Sequence, residues 1–169
     1  MSGERSAHAP GPVAIPVALR ARLHAEARAA FPAECCGFLT GPKGGSAATA
    51  IHPCGNAQAS GDHPTAAARG AETAYVIAGD DLLALVRSID GPEPALVIYH
   101  SHPNGKAYFS GTDREVATSP WGDGPAYPCQ QLVIGIDGEA IRELAWFAWS
   151  DAEAGWVEIG RETAPLGRP

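Results

Sequence analysis

Runs of lysine or arginine occur nowhere in this sequence, which carries 12 lysines and arginines against 19 aspartates and glutamates. The stripe of positive charge that a nucleic-acid-binding surface presents to phosphates is therefore missing. A formal net charge of −7 argues against polyanionic partners but names no other. Cysteine is scarce as well. The four thiols, Cys35, Cys36, Cys54 and Cys129, form no CxxC pair, and two of them are adjacent. A disulfide-stapled scaffold would carry them at higher density and wider spread, so this usage fits a reducing compartment. Long apolar runs are missing too, with no stretch near the roughly 20 residues that span a bilayer. The first residues, MSGERSAHAPGP, lack the apolar core of a signal peptide. The expectation is a cytoplasmic protein that meets neither membrane nor nucleic acid.

What is present is enough for one packed domain. The chain has 169 residues, of which 45% are apolar, a length and composition that support a single buried core. Residues 1–12, polar and rich in glycine and proline, read as a flexible tail. Residues 161–169 read as a second one, leaving a domain over 13–160. Apolar residues at helical spacing predict a helix from Ile15 to Ala30, ended by Phe31–Pro32. Cys35 to Thr40 reads as a strand, with Ala47 to Cys54 as its partner. Residues 55–72 are small and polar, hence a long loop. A brief strand is expected over Ala74 to Ile77. Gly79–Asp80–Asp81 then caps a helix from Leu82 to about Ile89. Ala95 to Tyr99 is apolar throughout and so predicts a central strand. A short helix starts near Thr112, and residues 119–129 form an irregular loop. Gln131 to Ile136 and Ala140 to Trp149 make a hairpin around Asp137–Gly138, with Gly155 to Ile159 as an edge strand. This order predicts an α/β or α+β sandwich around one mixed sheet.

Chemistry concentrates in Tyr99-His100-Ser101-His102-Pro103 and in Ser110-Gly111-Thr112-Asp113. Two histidines two residues apart at a strand end point to the same face. Asp113 follows after a loop of small residues, long enough to return a carboxylate to the same point. Two imidazoles and one carboxylate form a three-ligand set that leaves Zn²⁺ a fourth position for water, a catalytic rather than a structural arrangement. Each part has a plainer reading. Histidines on a strand more often form a polar face than a ligand set. Asp113 and Ser110 both suit a helix cap, in the pattern Ser110-x-x-Asp113. The whole string, HxHP followed by SxxD in one register, is what raises the odds of a metal site.

That string resembles the signature of the JAMM (MPN+) metalloprotease family: an upstream Glu, then HxHP, six residues, then SxxD. Here the six are Asn104 to Phe109, and Glu34 heads the segment Glu34 to Gly41 that is similar to the upstream element of bacterial members. Asn56 sits where such proteins often carry an asparagine. Phe109 departs from the pattern, because a proline commonly precedes the serine. The resemblance, over roughly residues 15–150, implies an MPN-type domain with a curved mixed sheet flanked by helices, akin to cytidine deaminases. It implies His100, His102 and Asp113 as zinc ligands, Glu34 as general base and Ser110 as the oxyanion donor. Taken alone, Glu34 would be an exposed carboxylate at a strand start. Zinc would lower the pKa of a bound water from 15.7 towards about 7, Glu34 would shuttle its proton, and the Ser110 hydrogen bond would be worth about 3 kcal/mol.

Other candidates carry less. His52 and Cys54 lie two apart with nothing to complete a site. His24 reads as surface, His63 as loop and His8 as tail. Cys35 and Cys36 read as small buried thiols rather than nucleophiles. Pro128–Cys129 matches half of the deaminase PCxxC element, but position 132 is Leu. Trp146, Phe147 and Trp149 read as core and hairpin packing. The functional expectation is hydrolysis of a peptide or isopeptide bond at the C-terminus of a ubiquitin-like sulfur carrier protein with a Gly-Gly tail. The compact, Ala/Gly-rich chain favours that branch over a deubiquitinase-like isopeptidase on another modifier. The intact ligand set speaks against a non-catalytic scaffold.

Overall fold

The computed structural model describes residues 10–60, 75–138 and 140–164. The tail residues 1–9 and 165–169, loop residues 61–72 and Ala74 lie outside these. The elements in chain order are α1 (Val17–Ala30), β1 (Cys36–Thr40), β2 (Ala50–Cys54), α2 (Ala57–Ser60) and α3 (Gly79–Ile89). They continue with β3 (Ala95–His102), α4 (Gly111–Ala117), β4 (Gln130–Ile136), β5 (Ile141–Ser150) and β6 (Gly155–Thr163). The strands form one open sheet in the order β2-β1-β3-β4-β5-β6. β3 and β4 run parallel and every other pair is antiparallel, so the sheet is mixed, as the element order predicts.

β3 is interior, which explains its apolar run: both faces must be covered. Val97 and Tyr99 face one side, where α1 lays Leu19, Leu23 and Ala27 against them and against Leu132, Ile134 and Trp146. Ile98 faces the other side, packing with Phe38 of β1 and Leu85 of α3. The buried residues of α1 recur every four positions, the spacing of one helical face. Each buried leucine contributes about 2 kcal/mol relative to exposure. His100 and His102 share the parity of Ile98. They therefore emerge on the α3 and α4 side of the sheet.

After His102 the chain turns over the neighbouring strand. Gly105 takes a positive φ of 78°, and its N–H donates to Ile136 O at 2.9 Å. Gly135, in register with His102, makes room for this turn: a Cβ there would lie 2.6 Å from Gly105 O. Gly135→Ala is expected to push the 103–109 loop off β4, costing about 1–3 kcal/mol as overpacking does and weakening metal retention. Urea unfolding and elemental analysis check this. Wild-type values for both would show that the close approach does not matter.

Four details differ from the sequence expectations. Tyr75 to Ala78 is not a strand, because Val76 spends its backbone groups on the segment after β2: its N–H donates to Asn56 Oδ1 and its C=O accepts from Ala57 N. α3 begins at Gly79, so Asp80 and Asp81 lie inside its first turn, where the helix dipole favours negative charge. β6 continues to Thr163, past the expected boundary at 160, and Ala164 N–H still donates to Arg142 O. At the other end, Gly11 O and Val13 N–H are both bound by the Gln130 side chain, so contact with the sheet already includes Gly11, before the expected boundary at 13.

Candidate metal centre

β3 and α4 bring three donors to one point. His100 Nε2 and His102 Nε2 lie 3.1 Å apart. Asp113 Oδ2 is 3.2 Å from the first and 3.1 Å from the second. All three residues are buried, and together they could hold a metal ion. Parity on β3 orients the imidazoles. Asp113 is placed by the start of α4, where Ser110 and Asp113 form a capping box: Asp113 N–H donates to Ser110 Oγ, and Ser110 N–H donates to Asp113 Oδ2. Three lone-pair donors so close need a proton or a cation between them. A tetrahedral ion with bonds of about 2.0–2.1 Å has ligand edges of roughly 3.3 Å. The observed triangle is close to that size, so the donor set fits such an ion.

Glu34 joins this group from β1's approach. β1 and β3 are antiparallel with Cys36 opposite His100, and Glu34 Oε1 comes to 3.7 Å from His102 Nε2. Glu34 is 4% exposed, so it is enclosed and not the surface carboxylate that the residue taken alone would suggest. Its Oε2 is buried without a partner among the described residues. The segment before β1 is clamped by Ser101, which lies between the two histidines but points to the opposite face. Its Oγ accepts from Cys35 N and its own N–H donates to Cys35 O.

Burial raises the Glu34 carboxyl from its ordinary 4.5 to about 7; His102 opposes this and Asp113 adds to it. Burial holds His100 below the usual imidazole value despite Asp113. Burial also lowers His102, but hydrogen bonding and charge from Asp113, with Glu34, win and raise it. Burial would raise Asp113, yet the hydrogen bonds of both imidazoles hold it well below the carboxylate range. In chelator-treated protein, Glu34 then holds more proton in the folded chain than in the unfolded chain between pH 4.5 and 7. The Glu34 contribution to stability is thus present below pH 4.5 and lost as pH rises through about 7. Glu34→Gln is expected to flatten that decline in a series of denaturation midpoints. An unchanged pH slope would show that Glu34 titrates normally.

Around the donors lies an open cleft lined by Glu34, His102, Asn104, Tyr108, Ser110 and Thr112. Aromatic rings flank both histidines. Tyr75 stacks on His100 at 4.3 Å and Tyr108 tilts against His102 at 4.7 Å. Neither was singled out from sequence, where a lone tyrosine carries no signal of what it covers. Phe109, the departure from the family pattern, is buried against Phe147 at 5.0 Å and Trp156 at 5.4 Å. Arg114 sits over its ring and donates to its carbonyl. Phe109 thus fixes the turn into α4 by packing.

Among the described residues the remaining candidates stay apart from this centre, while His8 and His63 lie outside the described residues. His52 stacks on Phe38 and hydrogen-bonds Thr40 Oγ1. Burial pushes the thiols of Cys35 and Cys129 up to about 12 and that of Cys36 higher still, so none is a ready nucleophile. Among the described residues, His100, His102 and Asp113 are the one group of ligands.

This mixed-sheet domain matches the family whose description is prokaryotic homologs of the JAB domain. That family matches residues 16–149, and this chain belongs to it. A CysO-cysteine peptidase of Mycobacterium tuberculosis is 36% identical over 97 residues, 57% of this chain and 59% of the relative. A desampylase of Haloferax volcanii is 33% identical over 90 residues, 53% of this chain and 58% of the relative. The chain therefore spans less than two thirds of the length of these curated relatives. Two solution structures share the fold. A protein of Desulfitobacterium hafniense has a TM-score of 0.61 at 20% identity, covering 86% of this chain and 88% of its own. A Salinibacter ruber protein has a TM-score of 0.56 at 21% identity, covering 92% and 94%. No helix among the described residues is long and apolar enough to cross a membrane.

Proposed function

We propose that this protein is a zinc peptidase that cleaves a peptide or isopeptide bond at the C-terminus of a ubiquitin-like carrier protein ending in Gly-Gly. The observation that carries the reading is the convergence of His100, His102 and Asp113 beside the enclosed carboxylate of Glu34. Zinc held by those three residues would supply a Lewis acid for the scissile carbonyl and for a water. Glu34 then takes the water's proton and delivers it to the leaving amine. A carboxylate enclosed beside the donor triangle is placed for both halves of that transfer. Ser110 Oγ accepts from Asp113 N, and its own hydrogen can donate to an oxyanion in the cleft. Tyr108 walls the cleft at its mouth, where it is 47% exposed.

The name CysO-cysteine peptidase describes cleavage between a partner called CysO and cysteine. This supports release of a terminal residue from a carrier, in the reducing cytoplasm that the scarce cysteines suggest. Binding of the carrier's globular body away from the chemistry would add energy that a short peptide lacks. The test offers a small ubiquitin-like carrier with residues added after Gly-Gly, beside a free peptide of the same tail, to zinc-loaded enzyme. Mass spectrometry is expected to show release of the extension after Gly-Gly from the carrier and poor cleavage of the peptide. Equal rates would exclude recognition of the body, and cuts elsewhere would exclude the Gly-Gly rule.

A further inference from the structure

β1 begins only at Cys36, so the base at position 34 stands outside the strand ladder. Two side chains hold the backbone there. Ser101 clamps Cys35 from the ligand strand. Asn56, half-buried after β2, donates from Nδ2 to Glu34 O at 3.0 Å. Asn56 Oδ1 also accepts from Gln58 N at 3.0 Å and from Val76 N at 3.1 Å. The bond to Gln58 is an ordinary Asx turn and needs no further account. The other two are different, since they cross 22 and 20 positions of chain to reach Glu34 and Val76. Val76 directly follows Tyr75, the ring stacked on His100 with an interplanar angle of 19°. One amide therefore touches the strand approach that aims the base and the segment that lays an aromatic ring on a ligand.

We propose that Asn56 is a positioning residue for this centre, holding Glu34 and the Tyr75 cover of His100 in fixed relation. The proposal rests on the reading of Glu34 as base. The geometry gives each atom of the amide a separate task. The Nδ2 donor fixes the peptide next to the Glu34 side chain, and a carboxyl that must meet a water and then a leaving amine tolerates little displacement. With the Ala57 N–H that donates to Val76 O, the Oδ1 acceptor holds the 75–78 segment, which has no strand pairing among the described residues. A turn residue of purely local importance would need neither.

Asn56→Asp separates the two tasks. Aspartate keeps an acceptor for Gln58 N and Val76 N but turns an oxygen towards Glu34 O. Asn56→Ala removes both, and Leu23→Ala, in the α1 core, serves as a stability control. In metal-free protein, NMR is expected to show the His100 ring resonances of Asn56→Asp at wild-type positions, with the Glu34 and Cys35 amides shifted. Asn56→Ala should move both sets. In zinc-loaded enzyme turning over a carrier extended past Gly-Gly, Asn56→Asp should lower kcat 10- to 100-fold with KM within twofold. Leu23→Ala, though less stable, should keep wild-type kcat. Wild-type kcat in Asn56→Asp, or a loss equal to that of Leu23→Ala, would overturn the proposal, as would unmoved Glu34 and Cys35 amides. Should Glu34→Gln itself retain turnover, the reading of Glu34 falls. The NMR comparison would still decide whether Asn56 holds residues 34 and 75.

Discussion

Glu34→Gln is expected to lower turnover on a cleavable carrier at least a hundredfold while metal binding stays at one ion per chain. Glutamine matches the size of the carboxylate but cannot carry a proton between water and leaving group. Proton transfer by a positioned side chain contributes about 10²–10⁴-fold, and among the described residues Glu34 is the one carboxyl facing the donor set that is not part of it. At 3.7 Å from His102 Nε2, it lies outside the 3.1–3.2 Å triangle of donors. Elemental analysis and circular dichroism should therefore match the parent. Turnover within tenfold of wild type would remove Glu34 as the base. Loss of metal with retained fold would make it a ligand instead.

The second large effect concerns the metal. His100→Ala and Asp113→Asn are each expected to leave almost no ion bound after dialysis, because two donors remain where three converge. Asparagine is the sharper choice at 113. It keeps an acceptor for Ser110 N–H, so the α4 cap, worth about 1 kcal/mol, survives while the charge that balances two imidazoles is lost. A chelator should lower the melting temperature of the parent and leave both variants unmoved, since a ligand that binds only the folded chain stabilises it by mass action. Full metal retention in both variants would remove the assignment.

Much of this centre is legible in the residues themselves. Period two along Tyr99 to Pro103 places both imidazoles on one face, and β3 does run through His102. The Ser110-x-x-Asp113 pattern reads as a cap and is one; the same carboxylate that closes the cap also closes the donor triangle. Glu34 is different. Nothing local distinguishes it from any acidic residue before a strand. Its place depends on Cys36 lying opposite His100 across two antiparallel strands, a long-range pairing that only the family resemblance implies. Tyr75 illustrates the limit of pattern reading from the other side. Its neighbours look strand-like, but Asn56 and Ala57 consume the hydrogen bonds a ladder would need. The end of β6 was hidden for a simpler reason. Glu158, Arg161 and Glu162 make it look like a polar tail, whereas its cohesion comes from backbone pairing with β5.

Phe109 ties the 103–109 loop to Phe147 and Trp156 on the far strands, at the position where the resembled pattern would place a proline. A proline ring restrains the backbone through covalent geometry, which hardly changes with temperature. A buried aromatic restrains it through expulsion of water, and that force fades on cooling. In this chain the hold on the turn into α4 therefore rests on burial of a ring, whose strength varies with temperature, rather than on a covalent restraint.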